Sequence, residues 1–279
     1  MQEDFRYLDE LIHRGVKKAD LDSDIIIKDN EVSIYKEGIR LEEDIVINGN
    51  GHVIDARGKS AIFAVLDADV TIRDAVFKNG NSHDGDEYAI LNEGNLTLIG
   101  CSILDGTTGI VNDGDLTVEG CIFKDNSSDD MGGAVFGFSG NLKITDSVFK
   151  ANSSDMGGAI YCGSKMILKD CTFKNNRARN GGAIYAEEEF TLKNRIFKDN
   201  TADEGGAIHS LTSGNIQDCL FEGSSAVYGG AIYNNEGNLD IIGCSFKDNQ
   251  SFCASGVCNK GVVNIDKCTF KSGKAKSNG

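Results

Sequence analysis

The chain has 279 residues, of which 25% are charged and 40% hydrophobic, with 34 Gly, nine Cys and no Pro or Trp. This is the composition of a folded protein rather than a disordered one. A formal net charge of -15 repels nucleic-acid phosphates and anionic lipid, which sets nucleic acid aside as a partner. No apolar run approaches the length of a transmembrane helix, so membrane insertion is not expected.

The first residues, MQEDFRYLDELIHRGVKK (1–18), lack a basic leader followed by an apolar stretch and do not read as a secretory signal. Phe5, Leu8, Ile12 and Val16 recur at helical spacing, which predicts a short capping helix within 1–22. Residues 23–58 then read as strands leading into a first coil, with His52 as a turn or packing residue.

From about residue 75 two phrases alternate. One is FKxN-like: CIFKDN (121–126), SVFKAN (147–152), CTFKNN (171–176), RIFKDN (195–200), CLFEGS (219–224), CSFKDN (244–249) and CTFKSG (268–273), with looser forms at 75–80 and 101–106. The other is MGGAVF (131–136), MGGAIY (156–161), NGGAIY (180–185), EGGAIH (204–209) and YGGAIY (228–233). Its Gly pairs begin at 132, 157, 181, 205 and 229, a near-constant step that marks stacked supersecondary units. Between the phrases apolar residues stand two apart, as at Leu142 and Ile144 or Leu239 and Ile241, with a polar residue between. Period two with one buried face is a strand. Units of about 24 residues without a helix can stack only by pairing each strand with its own counterpart one unit later. The expected fold is therefore all-β: a single-stranded parallel β-helix of about nine to ten coils over 23–273, with a basic tail at 274–279.

Stacking turns each position into a column. Asn126, Asn152, Asn176, Asn200 and Asn249 form an expected amide ladder interrupted at Ser224, in which turn Asn tolerates left-handed angles. Phe123, Phe149, Phe173, Phe197, Phe221, Phe246 and Phe270 form an aromatic core column, to which Phe77 is added. Six Cys share a column with Ser147 and Arg195. In-register neighbours stand too far apart for a disulfide, so these Cys read as small buried hydrophobes. Cys253 and Cys258, without a nearby His, give a weak metal pattern.

Three features bear on function. Phe136, Tyr161, Tyr185, His209 and Tyr233 follow an inward-facing aliphatic residue, so they are expected to point outward as a row of rings able to hold a sugar chain. Asp129, Asp130, Asp155, Asp203 and Glu204 precede the Gly pairs, with Arg177 and Arg179 interposed. They are candidates for a Ca²⁺ site, or a solvated face. The repeat breaks at 79–88, with His83, Asp84, Asp86 and Glu87, and again at 248–260. An enzyme would need converging carboxylates, and these breaks lie coils apart, so no catalytic residue and no cofactor is assigned.

The pairing of GGAIY with FKxN resembles the repeats of polymorphic outer membrane proteins. Together with DFRYLDELIHRG, GNGHVIDARGKSAIF and VTIRDAVFKNG it is similar to adhesin-like β-helix proteins of methanogenic archaea. The resemblance implies a right-handed, pectin-lyase-like helix at a cell surface and a non-catalytic binding role toward a glycan or protein ligand. The alternatives are a polysaccharide-degrading β-helix enzyme, either lyase or glycoside hydrolase, and a purely structural rod. The last coil has no helix after it, which points to end-to-end self-association through the C-terminal coil.

Overall fold

In the computed structural model, which describes residues 3–82 and 87–276, the chain winds into a parallel β-helix. Three sheets run the length of the rod, two of eleven strands and one of ten. The first sheet carries the GGAIY strands, from Ile39–Leu41 to Val257–Asn259. The second carries the alternating strands, from Lys18–Asp20 to Val262–Asp266, and the third the FKxN strands, from Ile25–Ile26 to Thr269–Lys271. Pairing is parallel and in register, column on column: Phe149 on Phe173, Leu142 on Met166, Ile160 on Ile184.

Eleven rungs stand where nine to ten were expected, because the lead-in contributes its own. Lys18–Asp20 already pairs with Ile45–Asn48, so the coil begins inside the segment assigned to the cap. The helix itself is Phe5–Ile12. Asp4 caps it by accepting a 3.0 Å bond from the Tyr7 amide, and Phe5, Leu8 and Ile12 close the end of the core. Val16 lies beyond the helix and is exposed. At the other end Lys274–Ala275 pairs with Gln250–Cys253, so the expected tail starts as a strand. No helix is long and apolar enough to cross a membrane among the described residues.

The Gly pair closes one corner, and its members serve different ends. Gly157 has φ +66, and a Cβ on it would stand 2.1 Å from the Ile160 carbonyl oxygen. Gly158 has no such angle, but its Cβ would lie 2.4 Å from the Gly182 carbonyl oxygen of the next coil. The first Gly is needed for its conformation and the second for coil-to-coil approach. The other corners use short polar residues with positive φ, such as Asp146, Asp170, Asn194 and Asp218. Left-handed angles fall on the residue before each ladder Asn (Asp125, Ala151, Asn175, Asp199, Asp248), not on the Asn itself.

The Asn ladder is buried and continuous from Asn126 to Asn200, with amide-to-amide bonds of 3.1, 3.1 and 3.0 Å. Each amide also donates to a carbonyl one coil back, as Asn176 does to Phe149 at 3.0 Å. Ser224 breaks it, and its buried hydroxyl has no partner among the described residues. The Phe rings from Phe123 to Phe270 stack face to face with centroids 4.7–5.0 Å apart. Phe77 does not join them, since Ile103 intervenes; it packs edge-on to Phe63 instead. Phe270, on the last rung, is 52% exposed, so it ends the stack rather than lying within the core.

The Cys column is buried from Cys101 to Cys244, and all nine thiols are free. Arg195 takes a Cys position and is 1% exposed. Nη1 reaches the Asn194 carbonyl at 3.4 Å, while Nε and Nη2 have no partner among the described residues. Burial lowers its pKa to about 10. A cation held so deep, with two donors unmatched, works against folding. Arg195→Cys, restoring the column's own residue, should raise stability in denaturant unfolding by about 1–3 kcal/mol; a loss of stability would mean that the aliphatic stem outweighs the buried charge. Ser224→Asn should add about 1 kcal/mol by closing the ladder, read in the same experiment. No gain there would mean that the gap is already satisfied.

Candidate functional site

The aromatic row is where the structure departs most from the sequence reading. Phe136, Tyr161, Tyr185, His209 and Tyr233 do stack one coil apart, with centroids 4.9–5.5 Å from neighbour to neighbour. They do not form an open face. Tyr161, Tyr185, His209 and Tyr233 are buried, and Phe136 is half-buried. The cover is a second stack outside the first sheet, an arm built from 127–131, 153–156, 177–180, 201–204 and 225–228. Its rungs bridge one another in parallel through Ser153, Arg177 and Thr201 and through Met156, Asn180 and Glu204. From the arm, Tyr228 sits 6.4 Å from the Tyr233 ring and the Glu204 carboxylate 3.6 Å from His209. Burial, aided by the Glu187 carboxylate, pushes the Tyr161 phenol up. A sugar cannot stack on rings that are already covered.

The acidic candidates are distributed along this arm rather than gathered. Asp130, Asp155, Arg179 and Asp203 follow one another in register. No three His, Cys, Asp or Glu side chains converge at metal-binding distance among the described residues, the Cys253 and Cys258 pair included. His83, Asp84 and Asp86 lie outside the described residues.

The arm starts at 127–131, and the coil before it is the one cut short. Successive coils differ by 24 to 26 residues along the Asn ladder, but Cys101 and Cys121 are 20 apart. The short coil turns directly from Leu104 to Thr108 with no Gly pair. A cleft of about 640 Å³ opens above it. Its floor is the continuation of the aromatic column, the half-buried Leu91 and Phe136 with the buried Val111 between them. Val111 packs with Ala61 and Tyr88 in a small apolar cluster separate from the main core. Its walls are the first arm rung, Ser128–Met131, and Phe138, which is 62% exposed and meets Phe136 edge-on at 6.1 Å. Glu87, Glu93, Asp113, Asp129 and Asp130 supply charge of one sign, and no basic residue lines the cleft among the described residues. Sequence reading singled out Phe136, Asp129, Asp130 and Glu87 but not the cleft that joins them. The available signal was the shortened step and the missing Gly pair.

His209 stands between Tyr185 and Tyr233 in the column, and neither ring nitrogen has a hydrogen-bond partner among the described residues. Glu204 favours the imidazolium, but burial, with the Lys260 ammonium, prevails and holds the pKa down at about 4. A folded pKa below the ordinary value near 6.5 means that the unfolded chain binds more protons between those limits. The contribution is therefore whole above about pH 6.5, falls as pH drops toward 4 and is spent below it. Between pH 7 and 4 the wild type should lose about 2–3 kcal/mol more than His209→Tyr. Parallel stability–pH curves for the two proteins would contradict this.

Comparison with known proteins agrees with this architecture. The model of the right-handed β-helix region matches residues 19–173, and the repeat of the Chlamydia polymorphic membrane protein matches residues 170–187. Among solved structures, one titled L. reuteri 53608 SRRP superposes with a TM-score of 0.56 at 12% identity, covering 99% of both chains. No curated protein matches the chain. With parallel in-register coils along its whole described length and a family match over more than half of its residues, the chain belongs to the right-handed β-helix family.

Proposed function

We propose that the chain is a non-catalytic repeat scaffold that acts as an adhesin-like binding module, with a carbohydrate or a protein as its ligand. The observation that carries this reading is the cleft over the short coil. There the regular stack is interrupted and a half-buried apolar floor with a polar rim meets solvent, the usual make-up of a recognition site. The match to a polymorphic membrane protein repeat adds support. Elsewhere the columns are used in stacking: Asn on Asn, Phe on Phe, and Tyr beneath the arm. Self-association through the C-terminal coil has in its favour a last rung whose Val262, Ile265 and Phe270 are about half exposed.

A polysaccharide-cleaving enzyme would place its paired carboxylates in the same cleft, so one experiment separates the two uses. The full chain is presented to a glycan array and, immobilised, to host or neighbouring-cell surface proteins. Capture of a ligand that is recovered unchanged is the expected result. Shortened glycan products would replace the binding module with an enzyme, and failure to capture any ligand would leave the structural rod.

A further inference from the structure

Arm rungs hold one another by backbone bonds. The Ser128 amide donates to the Ser153 carbonyl at 2.9 Å, the Met156 amide to Asp130 at 2.9 Å and the Arg179 amide to Asp155 at 2.9 Å. On the first rung the Ser127 amide still donates to the Gly106 carbonyl of the short coil at 3.0 Å, but two other groups on that side have no partner among the described residues. The Met131 N–H, counterpart of the Met156 donor, has no acceptor among the described residues. The Ser127 carbonyl, counterpart of the Ser153 acceptor, has no donor among them. The cleft is thus bounded by open backbone groups at the two bridge positions of this rung, and such groups recruit an extended chain.

The chemistry around those groups selects what kind of chain. None of Glu87, Glu93, Asp113, Asp129 and Asp130 is in an ion pair among the described residues, although they line one cleft. Below them are Leu91, Val111 and the Phe136–Phe138 pair, whose rings suit both apolar groups and a cation. The arm shows how an acidic rung is covered within the protein itself. Its third rung, RARN (177–180), lies between SSDM (153–156) and TADE (201–204), with Arg179 in register between Asp155 and Asp203. On the other side of the first rung, SSDDM (127–131), that neighbour is missing.

We infer that the cleft receives an extended cationic segment of a partner protein, with Lys or Arg at alternate positions, which adds to the Ser127–Met131 edge as the missing arm rung. Main-chain bonds to Met131 and Ser127 give it direction. The carboxylates meet its basic side chains, and the apolar floor takes the stems and any residue between them. This rests on the binding-module reading and specifies its ligand as protein.

The test uses the full chain and a fluorescein-labelled decapeptide, TRARTRARTR. Wild type should bind it, and Asp129→Asn with Asp130→Asn should weaken binding about tenfold or more. Phe138→Ala should also weaken it; all three residues are exposed, so the variants keep the fold. Replacing each peptide Arg by Glu should abolish binding. Methylating alternate backbone nitrogens of the peptide should cost about tenfold, because strand addition uses them. Equal binding by wild type and the Asp129→Asn/Asp130→Asn variant would overturn the inference in favour of general attraction to an acidic surface. Displacement of the peptide by spermine at equal concentration, or indifference to methylation, would overturn strand addition. If the glycan or surface-protein experiment captures a ligand while the peptide fails, the inference falls and the binding-module reading stands.

Discussion

Each strand of the three long sheets pairs with its counterpart in the coil before or after it, so the nearest neighbour of a side chain is its own counterpart about 4.8 Å away along the rod. Everything else in the molecule answers to that constraint. A residue type can fill a column only if it is content to stand on itself. Amides can, because each carries a donor and an acceptor, and the Asn126–Asn200 ladder uses both. Aromatic rings can, face to face. Small thiols can, where a guanidinium cannot: Arg195 leaves two buried nitrogens unmatched among the described residues, and the uncharged imidazole of His209 leaves both of its own. Size is traded between neighbours as well: Phe190 stands over Gly214, where a Cβ would lie 2.4 Å from its ring.

The same constraint explains the cleft. A coil that omits its arm does not disturb the three sheets, because their registers run straight through it: Leu91 on Val111 on Phe136 in the first, Leu96 on Leu116 in the second, Ile103 on Phe123 in the third. The omission removes only the outer layer, and it leaves Leu91 and Phe136, on either side of the buried Val111, half-buried in a cleft. Function in such a rod is therefore expected where the repeat is shortened, since a site on a regular coil would be copied along the whole column.

Much of this was legible in the sequence because periodicity reports stacking directly. The Phe, Asn, Cys and Gly-Gly columns, the strand faces and the capping helix all follow from spacing. What was not legible depended on a layer that has no strong pattern. The arm segments SSDM, RARN, TADE and SAVY share little beyond length, so period-two logic points Tyr161 and Tyr185 out of the main core, where they lie, without revealing the layer that covers them. The lead-in rungs at 18–58 were undercounted because they stack by shape without repeating the phrases. The side ladders joining Asn92 to Asn112 at 2.6 Å and Asn234 to Asn259 at 2.7 Å were hidden because the column between them changes residue type.

The central claim is that columns, not individual residues, hold the rod together, with the Phe column at its heart. Phe173 is fully buried between Phe149 and Phe197, with centroids 4.8 and 5.0 Å away. The most direct measurement is the equilibrium unfolding free energy of Phe173→Ala against wild type. A loss of about 3–5 kcal/mol is predicted for truncating a ring stacked on both faces. A loss below about 1 kcal/mol would mean that the column bears little of the stability, and that in-register stacking is not what holds this fold.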